Sequence, residues 1–242
     1  MDLIERRQDS TQPRHPWESV RGDFFLRVLK EAGLPHVDAQ VLDVGSGDGW
    51  FASRLAESAR LAVACWDTGY ASHPAPPDKR LTCTSTEPDG WFDLVLAMDV
   101  TEHVEDDRGF VEGLVQRRLK TGGHLLFSVP AWPVLFSEHD RFLDHVRRYT
   151  PSAGRELLIG AGLRIVRAGG LFHSLVGVRA IECVLRPITT RRAPSGGEWR
   201  GSSRMTAILK GALSADVAAS LWLSRVGWNV PGLTWWALCK KP

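Results

Sequence analysis

The sequence predicts an α/β protein built on a doubly wound, mostly parallel sheet, and three observations carry that expectation. A buried strand runs through alternating glycines into a helix at Val41-Leu42-Asp43-Val44-Gly45-Ser46-Gly47-Asp48-Gly49-Trp50-Phe51. Short apolar strands alternate with amphipathic helical patterns from residue 40 to residue 130. The length, 242 residues, suits a single domain with a real core and an added lid. The chain divides into a helical cover at 1–39, a ligand-binding core at 40–130, and a part at 131–242 holding loops, lid and last strands.

Trp17, Val20, Phe24, Val28 and Ala32 recur at three- and four-residue steps, which predicts a helix over 17–32 that stops at Gly33 and covers the ligand cleft. Strand one is 40–44, and the helix after Gly49 runs through Phe51 and Leu55 toward Ala59. Strand two, 61–66, ends in Asp67, and a loop with Pro74, Pro76 and Pro77 leads to strand three at 81–84. Strand four, 92–98, is an almost unbroken apolar run, as burial on both faces requires, and Asp99 ends it. Val104, Val111, Leu114 and Val115 mark a helix reaching Leu119, and Gly122-Gly123 turns the chain into strand five, 124–129. A polar and aromatic loop fills 131–149. Thr150-Pro151 then supplies an N-cap and first turn for a helix to about residue 159. Strand six is 163–166, and 186–203, with Pro187, Pro194 and Gly196-Gly197, has the composition of a mobile loop or lid. An apolar helix spans 205–226, and a last strand at 233–239 is expected to pair antiparallel with the sixth.

Thirty basic residues against 28 acidic ones give a formal charge of +2, so no electrostatic footprint for nucleic acid stands out. Cys65, Cys83, Cys183 and Cys239 are far apart and form no CxxC or zinc spacing, which reads as reduced, buried thiols. The start, Met1-Asp2-Leu3-Ile4-Glu5-Arg6-Arg7, is charged without an apolar core, so it reads as neither secretory signal nor membrane span, and the expected location is cytoplasmic. The longest apolar stretch, 171–185, carries His173, Arg179 and Glu182 and is too short to cross a bilayer. No periodic exposed stripe argues for an assembly, and the oligomeric state is left open.

Alternating glycines let backbone approach a ligand closely and adopt φ > 0, and the helix start beyond them offers N–H groups. A dinucleotide fingerprint needs its third glycine at position 50, where this chain has Trp50; the third glycine falls at Gly49. Three further segments stand in order after this one: Asp67 at the end of strand two, the run Phe92 through Met98 followed by Asp99-Val100-Thr101-Glu102-His103-Val104, and Leu119-Lys120-Thr121-Gly122-Gly123. Together they resemble the class I methyltransferases that use S-adenosyl-L-methionine. The resemblance implies a Rossmann-like, seven-stranded fold with an antiparallel last strand, and a cofactor lying across the carboxyl ends of strands one, two and four. It implies Gly45, Ser46 and Gly47 at the amino-acid moiety, Asp67 with Thr68 at the ribose, and Asp99-Val100 beside the cofactor. Asp43 supports the loop, and Ser85 is a weak substitute where many relatives place an acidic residue for adenine. S-adenosyl-L-homocysteine is the implied product.

The segment Ser137-Glu138-His139-Asp140, followed by His145-Val146-Arg147-Arg148-Tyr149-Thr150, resembles a bacterial subgroup with an SEHD…HxRRYT signature, and Arg14-His15-Pro16-Trp17-Glu18 shares that likeness. Methyl transfer from a sulfonium is an in-line displacement, so alignment, desolvation and activation of the nucleophile are the protein's contribution and no metal is required. An alcohol or phenol acceptor profits from a base with a near-neutral pKa, and His139 and His145 are the candidates, with His103 placed to contact cofactor or acceptor. The competing reading makes His139, Asp140, His145 and Arg147 a polar network that fixes the loop; a His/Asp metal site is a third reading, although the spacing matches no zinc pattern. Trp17, Trp132 and Trp199 are candidates to line an acceptor pocket. Arg147 and Arg148 are placed to hold an anionic acceptor, unless they pair with local acids such as Asp140 and Asp144. The expected activity is methylation of a small-molecule acceptor, O-methylation favoured, in secondary-metabolite or lipid- or sugar-linked biosynthesis. No transmembrane segment is expected, although the helix from Met205 has a second reading as a membrane-surface element through Leu209, Leu213, Leu221 and Trp222. The alternatives are a nucleotide-dependent oxidoreductase and a cofactor-binding module of the same fold without turnover.

Overall fold

The computed structural model describes residues 14–73, 75–185, 201–228 and 232–242. The amino-terminal run, Pro74, Trp199 and most of the expected 186–203 lid lie outside the described residues. Among those described, seven strands form one sheet: β1 (Val41–Val44), β2 (Val63–Trp66), β3 (Leu81–Thr84), β4 (Phe92–Met98), β5 (Leu119–Pro130), β6 (Arg164–Leu171) and β7 (Thr234–Lys240). Their order is β3-β2-β1-β4-β5-β7-β6. Neighbours from β3 through β5 pair in parallel, while β7 is antiparallel to both β5 and β6. The doubly wound sheet with an antiparallel last strand is therefore as expected.

Two apolar layers cover the sheet. On one face lie α1 (Pro16–Glu31), α2 (Trp50–Ala59) and α7 (Ser203–Arg225), which bury Phe24, Phe25, Leu55 and Leu213. On the other, α3 (Asp107–Arg117) and α5 (Pro151–Gly160) bury Leu114, Leu157 and Leu158. Side chains alternate across a strand, so consecutive Trp236 and Trp235 of β7 enter the first and second layer respectively. Each such side chain contributes about 2–3 kcal/mol by leaving water.

Several boundaries differ from the sequence-based expectation, each for a physical reason. β6 runs on through Ala168-Gly169-Gly170-Leu171, residues with little strand propensity, because pairing with β7 sets Gly169 opposite Trp236 and Gly170 opposite Trp235. The small residues make room for the indoles, and tertiary pairing overrides propensity. The helix expected from Val104 to Leu119 begins at Asp107, because the Asp106 carboxylate accepts from the Gly109 N–H at 2.9 Å and caps it there. Leu119 instead opens β5, paired with Phe92 before a register shift. The loop 131–149 holds a short helix, α4 (Glu138–Phe142), and the apolar stretch after β6 forms α6 (His173–Leu185). Cys65, Cys83 and Cys239 are free thiols, two of them buried and Cys83 only partly so.

Candidate functional site

The strand order reverses between β1 and β4, and the turn after β1 sits at that switch point, where open α/β sheets present ligand crevices. Gly45, Gly47 and Gly49 have φ of 63°, 55° and 68°, a left-handed region that disfavours side chains. Gly45 is also required by space, since a Cβ there would lie 2.4 Å from Cγ2 of Val100. The turn folds back on the end of β2. Gly45 N–H donates to the Trp66 carbonyl at 2.7 Å, Gly47 N–H to Oδ2 of Asp67 at 2.8 Å, and Trp50 N–H to Oδ1 of Asp48 at 3.2 Å. The amides expected to face a ligand are thus engaged internally, and the turn's contribution is close approach of its backbone.

α1 crosses this turn and closes one side of a cleft lined by Arg14, Arg21, Asp43, Ser46, Asp48 and Trp50. Gly22 brings the helix onto Trp50, whose ring a Cβ there would meet at 2.7 Å. The Arg14 guanidinium lies 4.2 Å from the centre of the same ring. Arg14 also pairs with Asp48, and Arg21 with Asp99. Asp99 has φ 56° and accepts from the Ser128 hydroxyl at 2.9 Å, which fixes its carboxylate at the carboxyl end of β4. Asp43 is buried, and desolvation together with the charges of Asp67 and Asp48 pushes its pKa up to about 7.

On the β5 side, the loop 131–149 is clamped by its own signature residues. Trp132 N–H donates to the Tyr149 carbonyl at 2.9 Å and Tyr149 N–H to the Pro130 carbonyl at 3.0 Å, closing the neck. Asp140 is fully buried at the loop's centre. It accepts from Ser137 N–H at 2.8 Å, Ser137 Oγ at 2.9 Å, Arg148 Nε at 2.7 Å and His145 Nδ1 at 3.0 Å. These donors hold its carboxyl far below the usual carboxylate range despite burial. The His145 ring meets the His103 ring edge-on, 4.8 Å between centres. Glu102 completes the group: it is fully buried, neither oxygen has a hydrogen-bond partner among the described residues, and burial pushes its pKa up to about 8. One ligand atom from each of Glu102, His103 and His145 lies within 4.8 Å of the others.

Comparison with known proteins narrows what such a sheet and cleft do. Residues 17–168 match a protein family described as a methyltransferase domain. The chain belongs to this methyltransferase family. It is 34% identical over 134 residues to a ubiquinone biosynthesis O-methyltransferase of Paramagnetospirillum magneticum, an alignment covering 48% of this chain and 53% of that protein. The chain thus spans about half the length of the curated relative it matches. Among solved structures, an N-methyltransferase from Bradyrhizobium japonicum superposes with a TM-score of 0.51 at 17% identity, covering 94% of this chain and 97% of that one. An S-adenosylmethionine-dependent methyltransferase from Archaeoglobus fulgidus gives 0.51 at 16% identity, covering 93% and 97%. At these identities the two structures speak for the fold.

On this fold the expected site residues fall into two groups. Asp43, Gly45, Ser46, Gly47, Asp67, Asp99 and Val100 converge at the carboxyl ends of β1, β2 and β4, with Thr68 opening a 3-10 turn that Asp67 caps through Gly69 N–H at 2.8 Å. Ser85 follows β3 at the edge of the sheet. His103 and His145 come together, while half-buried His139 lies in α4; burial and Arg179 hold the His139 pKa below the ordinary histidine value. Arg148 is committed to Asp140 and to the Ala131 carbonyl at 3.1 Å, and Arg147 to Asp107 at 2.8 Å, so the arginines pair with local acids, although Asp107 takes the place of Asp144. Asp140 thus joins His145, Arg148 and Ser137, while Arg147 of the expected network pairs elsewhere, with Asp107. Trp132 donates through Nε1 to the Gly232 carbonyl at 2.9 Å, and Trp17 packs edge-on to Phe172. Sequence reasoning missed Arg21 and Glu102. Glu18 and Arg21, three residues apart, share one side of α1, with Arg14 just before the helix pairing to Glu18 at 3.0 Å, a helical-face signal available in the sequence.

Proposed function

We propose that this methyltransferase moves the methyl group of S-adenosyl-L-methionine to a hydroxyl of a small-molecule acceptor, with His145 as general base. The observation that carries the reading is the Asp140–His145 pair, 3.0 Å apart and buried on its aspartate side, beside the carboxyl end of β4. With Asp140 accepting from Nδ1–H, the ring keeps its lone pair on Nε2, and the carboxylate stabilises the imidazolium formed when that nitrogen takes a proton. This is the arrangement an alcohol or phenol nucleophile needs. The curated O-methyltransferase relative supports transfer to oxygen.

The cleft residues fit the cofactor's chemistry. Arg21 and Arg14 offer cations to its carboxylate, and Asp99 and Asp48, now paired with them, offer anions to its ammonium group. Asp67 keeps a second lone pair on each oxygen for ribose hydroxyls, after accepting from Gly47 and Gly69. When bound, the cofactor supplies an electrophilic methyl on sulfur, displaced in line. The protein's own tasks are to seat that group against the glycine turn, exclude water with α1, and take the acceptor's proton at His145.

The test is transfer of labelled methyl from S-adenosyl-L-methionine to a panel of phenols, catechols and amines. His145→Gln is expected to lower kcat on hydroxyl acceptors about 100-fold or more, at near-unchanged cofactor affinity. Labelling of amines alone, or an unchanged kcat on hydroxyl acceptors in the variant, refutes the assignment.

A further inference from the structure

We infer that the outward face of α7 rests on an anionic lipid surface. The helix has two apolar faces. Leu213, Val217 and Leu221 are buried in the same core as Phe24 and Trp236, so Leu213 and Leu221 are withdrawn from the membrane contact that the sequence alone suggested for them. Met205, Ile208, Trp222 and Val226 face away, exposed by 55%, 69%, 59% and 53%. With the exposed alanines between them they recur at alternating steps of three and four residues, which aligns them in one stripe along the helix. An exposed periodic stripe is therefore present, hidden in the sequence by the apolar residues of the buried face. Trp228, 67% exposed, extends it beyond the helix end.

Three further observations select the occupant. α7 is long and apolar enough, by length and composition, to cross a membrane, yet crossing would strip its inner face from the core; lying in the plane of an interface exposes only the stripe to lipid. Paired exposed tryptophans suit the headgroup level, where one side of the ring is apolar and the other wet. Charge then selects the headgroup, since α7 itself carries three basic side chains, Arg204, Lys210 and Arg225, against one acidic one, Asp216. Asp216 is spent on α6, accepting from His173 N–H at 3.0 Å and Ser174 N–H at 2.7 Å. α6 in turn ties this edge to the loop bearing His145, through Arg179 donating to Ser137 Oγ at 3.4 Å.

The test is co-sedimentation of the full chain with vesicles of phosphatidylcholine alone and with vesicles containing about a quarter phosphatidylglycerol. The protein is expected to pellet with the anionic vesicles, to be released by salt, and to stay soluble beside neutral ones. Ile208→Ser combined with Trp222→Ser is expected to cut partitioning about tenfold or more while leaving the melting temperature and the turnover of a water-soluble acceptor unchanged. Absence of binding to anionic vesicles, or equal binding by the variant, overturns the inference. So does a wild-type dimer in sedimentation equilibrium that the same variant abolishes, which assigns the stripe to a second copy of the chain.

Discussion

Replacing Glu102 by glutamine isolates a buried charge whose cost depends on pH. The Glu102 carboxyl is fully buried, without a hydrogen-bond partner among the described residues, and its pKa is raised from 4.5 to about 8 by desolvation. An acid with a raised folded pKa keeps its proton in the native state where the unfolded chain has lost it. Stability therefore falls as pH rises from the unfolded value near 4.5 through the folded value near 8, and is level outside that window. The full difference corresponds to about 5 kcal/mol as an upper bound, from about 1.4 kcal/mol per unit. Glu102→Gln keeps the shape and removes the ionisation, so its stability relative to wild type should grow steadily between pH 5 and pH 8. Urea denaturation of both proteins across that range reads the difference as a diverging midpoint at constant slope. Parallel curves for wild type and variant would refute the reasoning, because they would mean that Glu102 ionises in the fold as readily as in water.

Asp140→Asn should destabilise the protein by about 3–5 kcal/mol, since it leaves buried Arg148 without its anion and sets an amide NH2 against the Ser137 N–H that the second oxygen accepts. Because the Asp140 pKa is lowered, that stabilisation is present above the unfolded carboxylate value and is lost as pH falls through the folded one, so thermal scans of wild type and variant should converge in acid. Gly45→Ala combines a φ of 63° with a 2.4 Å approach to Val100, and should cost about 3 kcal/mol and weaken cofactor binding, both measurable by calorimetry. Turnover should persist after exhaustive chelation, since displacement from sulfur aided by a histidine base needs no Lewis acid; its loss would assign a cation to Glu102, His103 and His145.

What was legible in the sequence was the part with strong local rules. Three glycines between a buried strand and a helix, an acid at the end of β2 and the unbroken apolar run of β4 each follow from backbone freedom or two-sided burial, and all three stand where expected. Elements decided by distant partners were hidden. The extension of β6 through Gly169 and Gly170 depends on the tryptophans of β7, far along the chain. Glu102 reads as a solvated residue after a strand, and becomes a buried acid only because the loop 131–149 folds over it, with Val146 N–H donating to its carbonyl at 2.7 Å. Arg147 and Arg148 are indistinguishable as letters, yet one is buried against Asp140 and the other reaches Asp107. α7 presents an apolar pattern all round, and only its docking on α1 and β6 separates core face from outer stripe.

Calorimetric titration with S-adenosyl-L-homocysteine tests the central claim most directly, because the cleft between α1 and the glycine turn is held to be a cofactor site. Binding of one molecule per chain with a dissociation constant on the order of micromolar is predicted, weakened by about tenfold or more in Arg21→Met. Folded protein that gives no heat of binding at about millimolar ligand would contradict it.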